Sequence, residues 1–301
     1  MKTIILAFTL IVSTLRLSAA PPENFTVHEW GTFTSVQGAD GAQMLWNPKV
    51  AVELPRFVYP WLGNVNGLAL AKGNYICKQR METPVIYFYS EHEQDVDVAV
   101  NFRFGAITEW YPSSAPDEQR KTFAARRGAE NPPALLWEKL HLTPARQGAD
   151  EMRSRLPVDQ SGSHYFAARD TNSDFVQTAS KDGSPEIEKF LFYRGVAFFD
   201  APLTVKLDGK KAEVVSVENH GTEALSDLYV FENDADFRGW AVVERLEPGE
   251  SRTVPRHDLT PAASPGELAD AVAPQFRDAL MRQGLYRREA DAMIATWRQT
   301  W

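Results

Sequence analysis

The chain has 301 residues, with 40 acidic against 32 basic side chains and a net charge of −8. It contains no basic run of five or more residues, which argues against nucleic acid and anionic membrane surfaces as partners. Cys77 is the single cysteine, so no internal disulfide can form and a hydrophobic core must supply the stability.

Residues 1–19 have the order of a secretory signal peptide: the charged start Met1-Lys2, an apolar run from Ile4 to Val12, and small residues up to Ala19. Cleavage is expected after Ala19, because Pro21 hinders the bond after Ala20. The apolar run is shorter than the roughly 20 helical residues that span a bilayer. No later segment is long enough either, so no integral membrane segment is expected after cleavage. Losing Lys2 and Arg16 takes the net charge from −8 to −10.

Residues 20–143 read as an N-terminal β-rich domain. "TVHEWGTFTS" (Thr26 to Ser35) is a run of β-formers, and "PVIYFYS" (Pro84 to Ser90) is aromatic and β-branched. "DVDVAVNFRF" (Asp95 to Phe104) alternates strictly, with Val96, Val98, Val100, Phe102 and Phe104 on one face of a half-buried strand. The polar Glu91-His92-Glu93-Gln94 between them fits a hairpin loop. "AITEWYP" (Ala106 to Pro112) suggests a further strand. "SSAPDEQRK" and "RRGAENPP" read as loops, and "ALLWEKLHL" (Ala134 to Leu142) as a strand, with a short helix as the alternative.

Residues 144–185 form an irregular connection in this reading, with "SHYFAARD" (Ser163 to Asp170) as a strand within it. Residues 186–258 carry short strands with turn signals between them, the pattern of an immunoglobulin-like β-sandwich. Residues 264–301 switch to helix. Ser264-Pro265-Gly266-Glu267 is a capping box, Leu268, Val272, Phe276 and Leu280 form a stripe, and Gly284 is a stop. A second helix follows with Ala290, Met293, Ile294 and Trp297, and Trp301 ends the chain in mid-pattern as a truncation would. The fold class is therefore mainly β: two β-sandwich-like (immunoglobulin-like) units with a C-terminal helical hairpin.

His28 and Glu29 are adjacent, and in a strand adjacent side chains point to opposite faces. Phe25, Val27, Glu29 and Phe33 share one side; His28 and Trp30 share the other. Glu29 is then a carboxylate on an apolar face, which is costly unless paired. Arg56, Arg80 and Arg103 are its expected partners in structural ion pairs, and Glu82 repeats the theme beside Arg80. The catalytic alternative pairs Glu29 with Glu82 for glycosidase-like acid–base hydrolysis, with His28 or His164 assisting. The six histidines have no partner at metal-ligand spacing, and no nucleotide, Walker or redox motif occurs, so neither metal nor cofactor is expected. Trp30, Trp46, Trp61, Trp110 and Tyr111 are candidates for an aromatic surface that binds carbohydrate or peptide.

"VHEWGTFTSVQGADG", "ELPRFVY", "RMETPVIYFYS" and "TEWYP" together resemble a family of exported bacterial proteins with no established activity. The resemblance covers most of the mature chain and brings no catalytic residues or cofactor. It implies a bacterial source, a periplasmic or extracellular destination, and a chain that is short at its C-terminus. "VENHGTEALSDLYVFEND…LEPGESRTV" is similar to immunoglobulin-like modules of exported proteins, which bears on fold alone. The leading expectation is an exported, non-catalytic protein of binding or envelope structure; the rival is the secreted hydrolase.

Overall fold

The computed structural model describes residues 24–45, 54–60, 77–102, 104–147, 149–159, 161–179, 183–208, 214–233 and 236–298. Residues 1–19, where the signal peptide is expected, and Trp46, Trp61, Arg103 and Trp301 lie outside these described residues.

In chain order, the N-terminal part holds β1 (Thr26–Ser35), β2 (Tyr59–Pro60), β3 (Gln79–Tyr89), β4 (Gln94–Val100), β5 (Gly105–Tyr111), α1 (Asp117–Arg126), β6 (Leu135–Thr143) and α2 (Ala149–Ser154). A 3-10 turn (His164–Arg169) precedes β7 (Phe175–Ala179), β8 (Pro185–Glu188) and β9 (Leu191–Ala197). Then come β10 (Leu203–Asp208), β11 (Val214–Asn219), β12 (Leu225–Asn233), β13 (Arg238–Leu246), β14 (Ser251–Pro255) and β15 (Thr260–Pro261). Helices α3 (Pro265–Arg282) and α4 (Arg287–Trp297) follow.

The fold is mainly β, with antiparallel sheets in two sandwich-like units and a C-terminal helical pair. In the first unit a five-stranded sheet, β1-β3-β9-β5-β2, faces a four-stranded one, β4-β6-β7-β8. Between them Ile86, Phe88, Leu191 and Tyr193 meet Val98, Val100, Trp137, Leu140 and Leu142. In the second unit β10-β11-β14 and β12-β13-β15 close over Leu203, Val205, Val217, Leu228, Val230 and Leu246. The segment after β1 ties the units together. Gln37 donates to the Leu203 carbonyl at 2.8 Å and accepts from the Val205 N–H at 2.8 Å, and Leu207 N–H donates to the Ala39 carbonyl at 2.9 Å.

The helical pair joins both units from the other side. Helix α3 lays Leu268 and Val272 against Tyr229 and Trp240 on the outer face of β12 and β13. Helix α4 presses Ala290, Met293, Ile294 and Trp297 onto Trp30, Val85 and Tyr87 of the five-stranded sheet. The Ser264 hydroxyl accepts from the Glu267 N–H at 3.1 Å, and Gly284 leaves the helix at φ 105°, as the local signals require.

Six expectations are corrected. The boundary at 186 fails: β8 pairs with β7, and β9 is the middle strand of the first unit's sheet. Strand β9 is buried on both faces, so its continuous apolar run belongs to a sheet covered on both sides. Residues 144–185 are not irregular, since α2, the 3-10 turn and β7 occupy them, and "SHYFAARD" forms that turn rather than a strand. "SSAPDEQRK" leads into α1, a helix whose acids fall in its first turn and Arg126 in its last, complementing the helix dipole. Strands β3 and β4 do not form a hairpin; the chain crosses from one sheet to the facing one through the polar loop. Finally, β4 stops at Val100, and Phe104 is exposed instead of continuing the buried face.

Candidate functional site

The five-stranded sheet positions nearly all the polar residues singled out above. Strand β1 is extended, so Trp30 and His28 point to the helix-covered face while Glu29, opposite Ile86, points into the layer between the two sheets. Trp30 is paired with Val85 but Thr32 with Glu82, so β3 carries one extra residue there. Gly31 sits opposite this bulge, where an added Cβ would lie 2.9 Å from the Pro84 Cα; only glycine permits the approach. A second bulge at Thr108 shifts β5, so that Glu109 rather than Thr108 faces Arg194.

The two bulges put four charges on one face. Arg80 Nε meets Glu82 Oε1 at 2.7 Å. Arg194 grips Glu109 in a fork, Nε to Oε2 at 2.7 Å and Nη2 to Oε1 at 2.9 Å. Burial pushes the Glu82 carboxyl up, against the pull of Arg80 and then Arg194. Burial likewise lowers Arg80, which Glu82 partly restores. His164, at the start of the 3-10 turn, has its ring 5.2 Å from that of Trp297. Burial, then the nearby Arg194 and Arg80 guanidiniums, hold its imidazole below the ordinary range. Its Nε2 is buried and has no hydrogen-bond partner among the described residues.

His28 belongs to a different arrangement at the other end of the face. Its Nδ1 meets Glu289 Oε2 of α4 at 2.7 Å, and Glu289 is completely buried. The same oxygen accepts the Tyr286 N–H at 2.6 Å. The rings of Tyr286 and Tyr89 lie 4.7 and 5.6 Å from His28. Burial and then the Glu289 carboxylate push the Tyr89 phenol far above its ordinary range.

Among the described residues no arginine meets Glu29. The Tyr193 hydroxyl donates to its Oε1, and burial raises its carboxyl, with that hydrogen bond opposing. In place of Arg56 and Arg80, the described residues give Glu29 a phenol–carboxylate contact, while Arg103 lies outside them. The reason is the face: Arg80 and Arg194 point the other way, and Arg56 is exposed, its backbone N–H donating to Asp159 at 2.7 Å. Glu82 does form its pair with Arg80.

The aromatic surface is corrected too. Trp30 and Tyr111 are buried in the core under α4, where their size contributes more than exposure could. Trp110 is partly buried against the inter-sheet layer, its ring nearly parallel to that of Tyr59 at 6.4 Å.

Glu109, Arg194, Tyr193 and Glu289 were missed. Arg194 had a signal, as the one cation inside the apolar run "FLFYRGVAFF". Glu109 in "AITEWYP" resembled Glu29 in its setting. Among the described residues no group of three or more His, Cys, Asp or Glu is arranged to hold a metal ion, and no helix is long and apolar enough to cross a membrane. The arrangement offers hydrogen-bond donors and acceptors on one sheet face, with Glu82 on that face and Glu29 on the opposite one. No protein-family model, curated protein or solved structure matches this chain.

Proposed function

We propose that this is an exported, non-catalytic protein of the bacterial periplasm or cell exterior, acting by binding carbohydrate or peptide or as envelope structure. The observation that carries the reading is the opposite placement of the two candidate acids. Glu29 points into the inter-sheet layer and Glu82 to the helix side, each engaged by a donor. A glycosidase needs two carboxyl groups flanking one bond, at about 5 to 9.5 Å from each other on the same side of a cleft. A sheet between the two acids prevents that. The signal-like segment 1–19, the acidic balance and the family resemblance support export and make nucleic acid a poor partner.

The test is a screen of the mature protein, residues 20–301, against immobilised oligosaccharides and peptides, run beside chromogenic glycosidase substrates. Retention of a glycan or peptide without turnover is expected. Turnover that disappears in Glu82→Gln while the fold persists would establish the hydrolase instead.

A further inference from the structure

The row of charges on the helix side differs from an ordinary internal ion pair. Glu188 shows what a closed one looks like in this protein. Its carboxylate accepts from the Tyr165 hydroxyl at 3.0 Å, from Arg169 Nε and Nη2 at 2.9 and 2.6 Å, and from the Lys189 N–H at 2.7 Å. No oxygen is left over, and the side chain is 0% exposed. In the row, Glu109 is closed in the same way, by the Arg194 fork and the Thr108 hydroxyl, whereas the side chains of Arg80 and Glu82 meet only each other among the described residues, through Nε and Oε1. Both keep some accessible surface, 8% and 15%, and so do Arg194 and Glu109 at 14% and 21%. His164 has an Nε2 that no described residue satisfies, one of eight such buried side-chain atoms among the described residues.

The backbone is built for this placement. Two bulges, one on each side of β9, break the register at the same level. Without the one at Thr108, that threonine would face Arg194 and Glu109 would turn to the other layer. Bulges cost ladder hydrogen bonds, and they recur where a side chain must be re-aimed. The apolar part of the same face is covered by α4 and the 3-10 turn, and the polar row continues that face with side chains that stay 8% to 21% exposed.

We propose that Arg80, Glu82, Glu109, Arg194 and His164 form a binding site for a neutral, hydroxyl-rich ligand, a sugar unit of an oligosaccharide. The charges choose the class. Each arginine is already neutralised by a glutamate, so the site carries no net charge with which to hold a free carboxylate, phosphate or ammonium group. What it offers is donors and acceptors side by side: guanidinium N–H groups, carboxylate oxygens and one imidazole nitrogen. A hydroxyl donates and accepts at once, and a ring of them matches such an alternation. This deepens the binding reading above and rests on it.

The experiment uses the mature protein and arrays of neutral oligosaccharides of glucose, mannose, galactose and N-acetylglucosamine, with calorimetry on those retained. His164→Ala and Glu82→Gln are each expected to weaken binding at least tenfold while melting within a few degrees of the wild type. Hydrogen exchange on the wild-type complex is expected to show new protection at residues 80–84, 107–110 and 162–165, and it locates the ligand even if a variant folds poorly. Protection elsewhere, or retention that neither variant alters, overturns the site. Retention of peptides but of no oligosaccharide overturns the sugar and leaves the binding reading standing. Retention of neither sinks both.

Discussion

Glu29 carries a carboxylate into an apolar layer where the Tyr193 phenol receives it. Because burial raises its carboxyl above the usual 4.5, the folded state favours the protonated form more than the unfolded chain does. The stability linked to this group is fully present below pH 4.5 and is lost as pH rises through the folded value. Glu29→Gln removes the titrating group and keeps an oxygen for Tyr193. At pH 7 the variant should melt at or above the wild-type temperature, and its advantage should shrink as pH falls towards 4.5. A variant that melts several degrees lower at pH 7, with a gap that closes on acidification, would mean that a cation holds Glu29 after all. The sequence disclosed the acid on an apolar face, because alternation in a strand is a local property. It did not disclose the partner, because Tyr193 arrives from a strand 164 positions away.

Between elements, the contact that stands out is His28 with Glu289, which fastens α4 to β1 across 261 positions. Glu289 lies in the first turn of its helix, where an acid is favoured by the dipole and caps the Tyr286 N–H. In "RREADAM" it reads as one more surface acid, and only docking of the helix buries it. Caps, stops and the apolar stripes of α3 and α4 were legible because each depends on neighbours within four residues. Helix α1 was hidden for the opposite reason, since it buries just Phe123 and Ala124 and has no stripe to detect. Breaking the clasp leaves a buried polar group without its partner, so Glu289→Ala should cost about 2–4 kcal/mol. In a double-mutant cycle with His28→Ala, a coupling of about 1–2 kcal/mol is expected in urea unfolding. Additivity to within about 0.5 kcal/mol would show that the two side chains are neighbours without a shared energy.

At the scale of the whole molecule, the question is whether the two sandwich-like units melt separately. The sequence suggested separate zones, because their boundary was drawn from turn spacing, and turn spacing is blind to which sheet a strand joins. Strand β9 falls past that boundary and yet sits in the middle of the first sheet. Three ties oppose independence. The chain after β1 hydrogen-bonds β10, α3 packs on β12 and β13, and α4 packs on β1 and β3. Phe276 of α3 touches both helix-side clusters, so the packing is continuous from one unit to the other. Trp297 is the largest α4 side chain in that packing, and it is 3% exposed. Its replacement by alanine should cost about 3–5 kcal/mol, as truncation of a buried tryptophan does. If the helical pair couples the units, calorimetry will show one transition in the wild type and one, at lower temperature, in Trp297→Ala. The exchange protection of β10 to β14 should then fall together with that of β1 and β3, although Trp297 packs in the first unit's helix-side cluster. Two transitions in the variant, with the second unit melting at its original temperature, would show instead that the helices lie on the units without joining them.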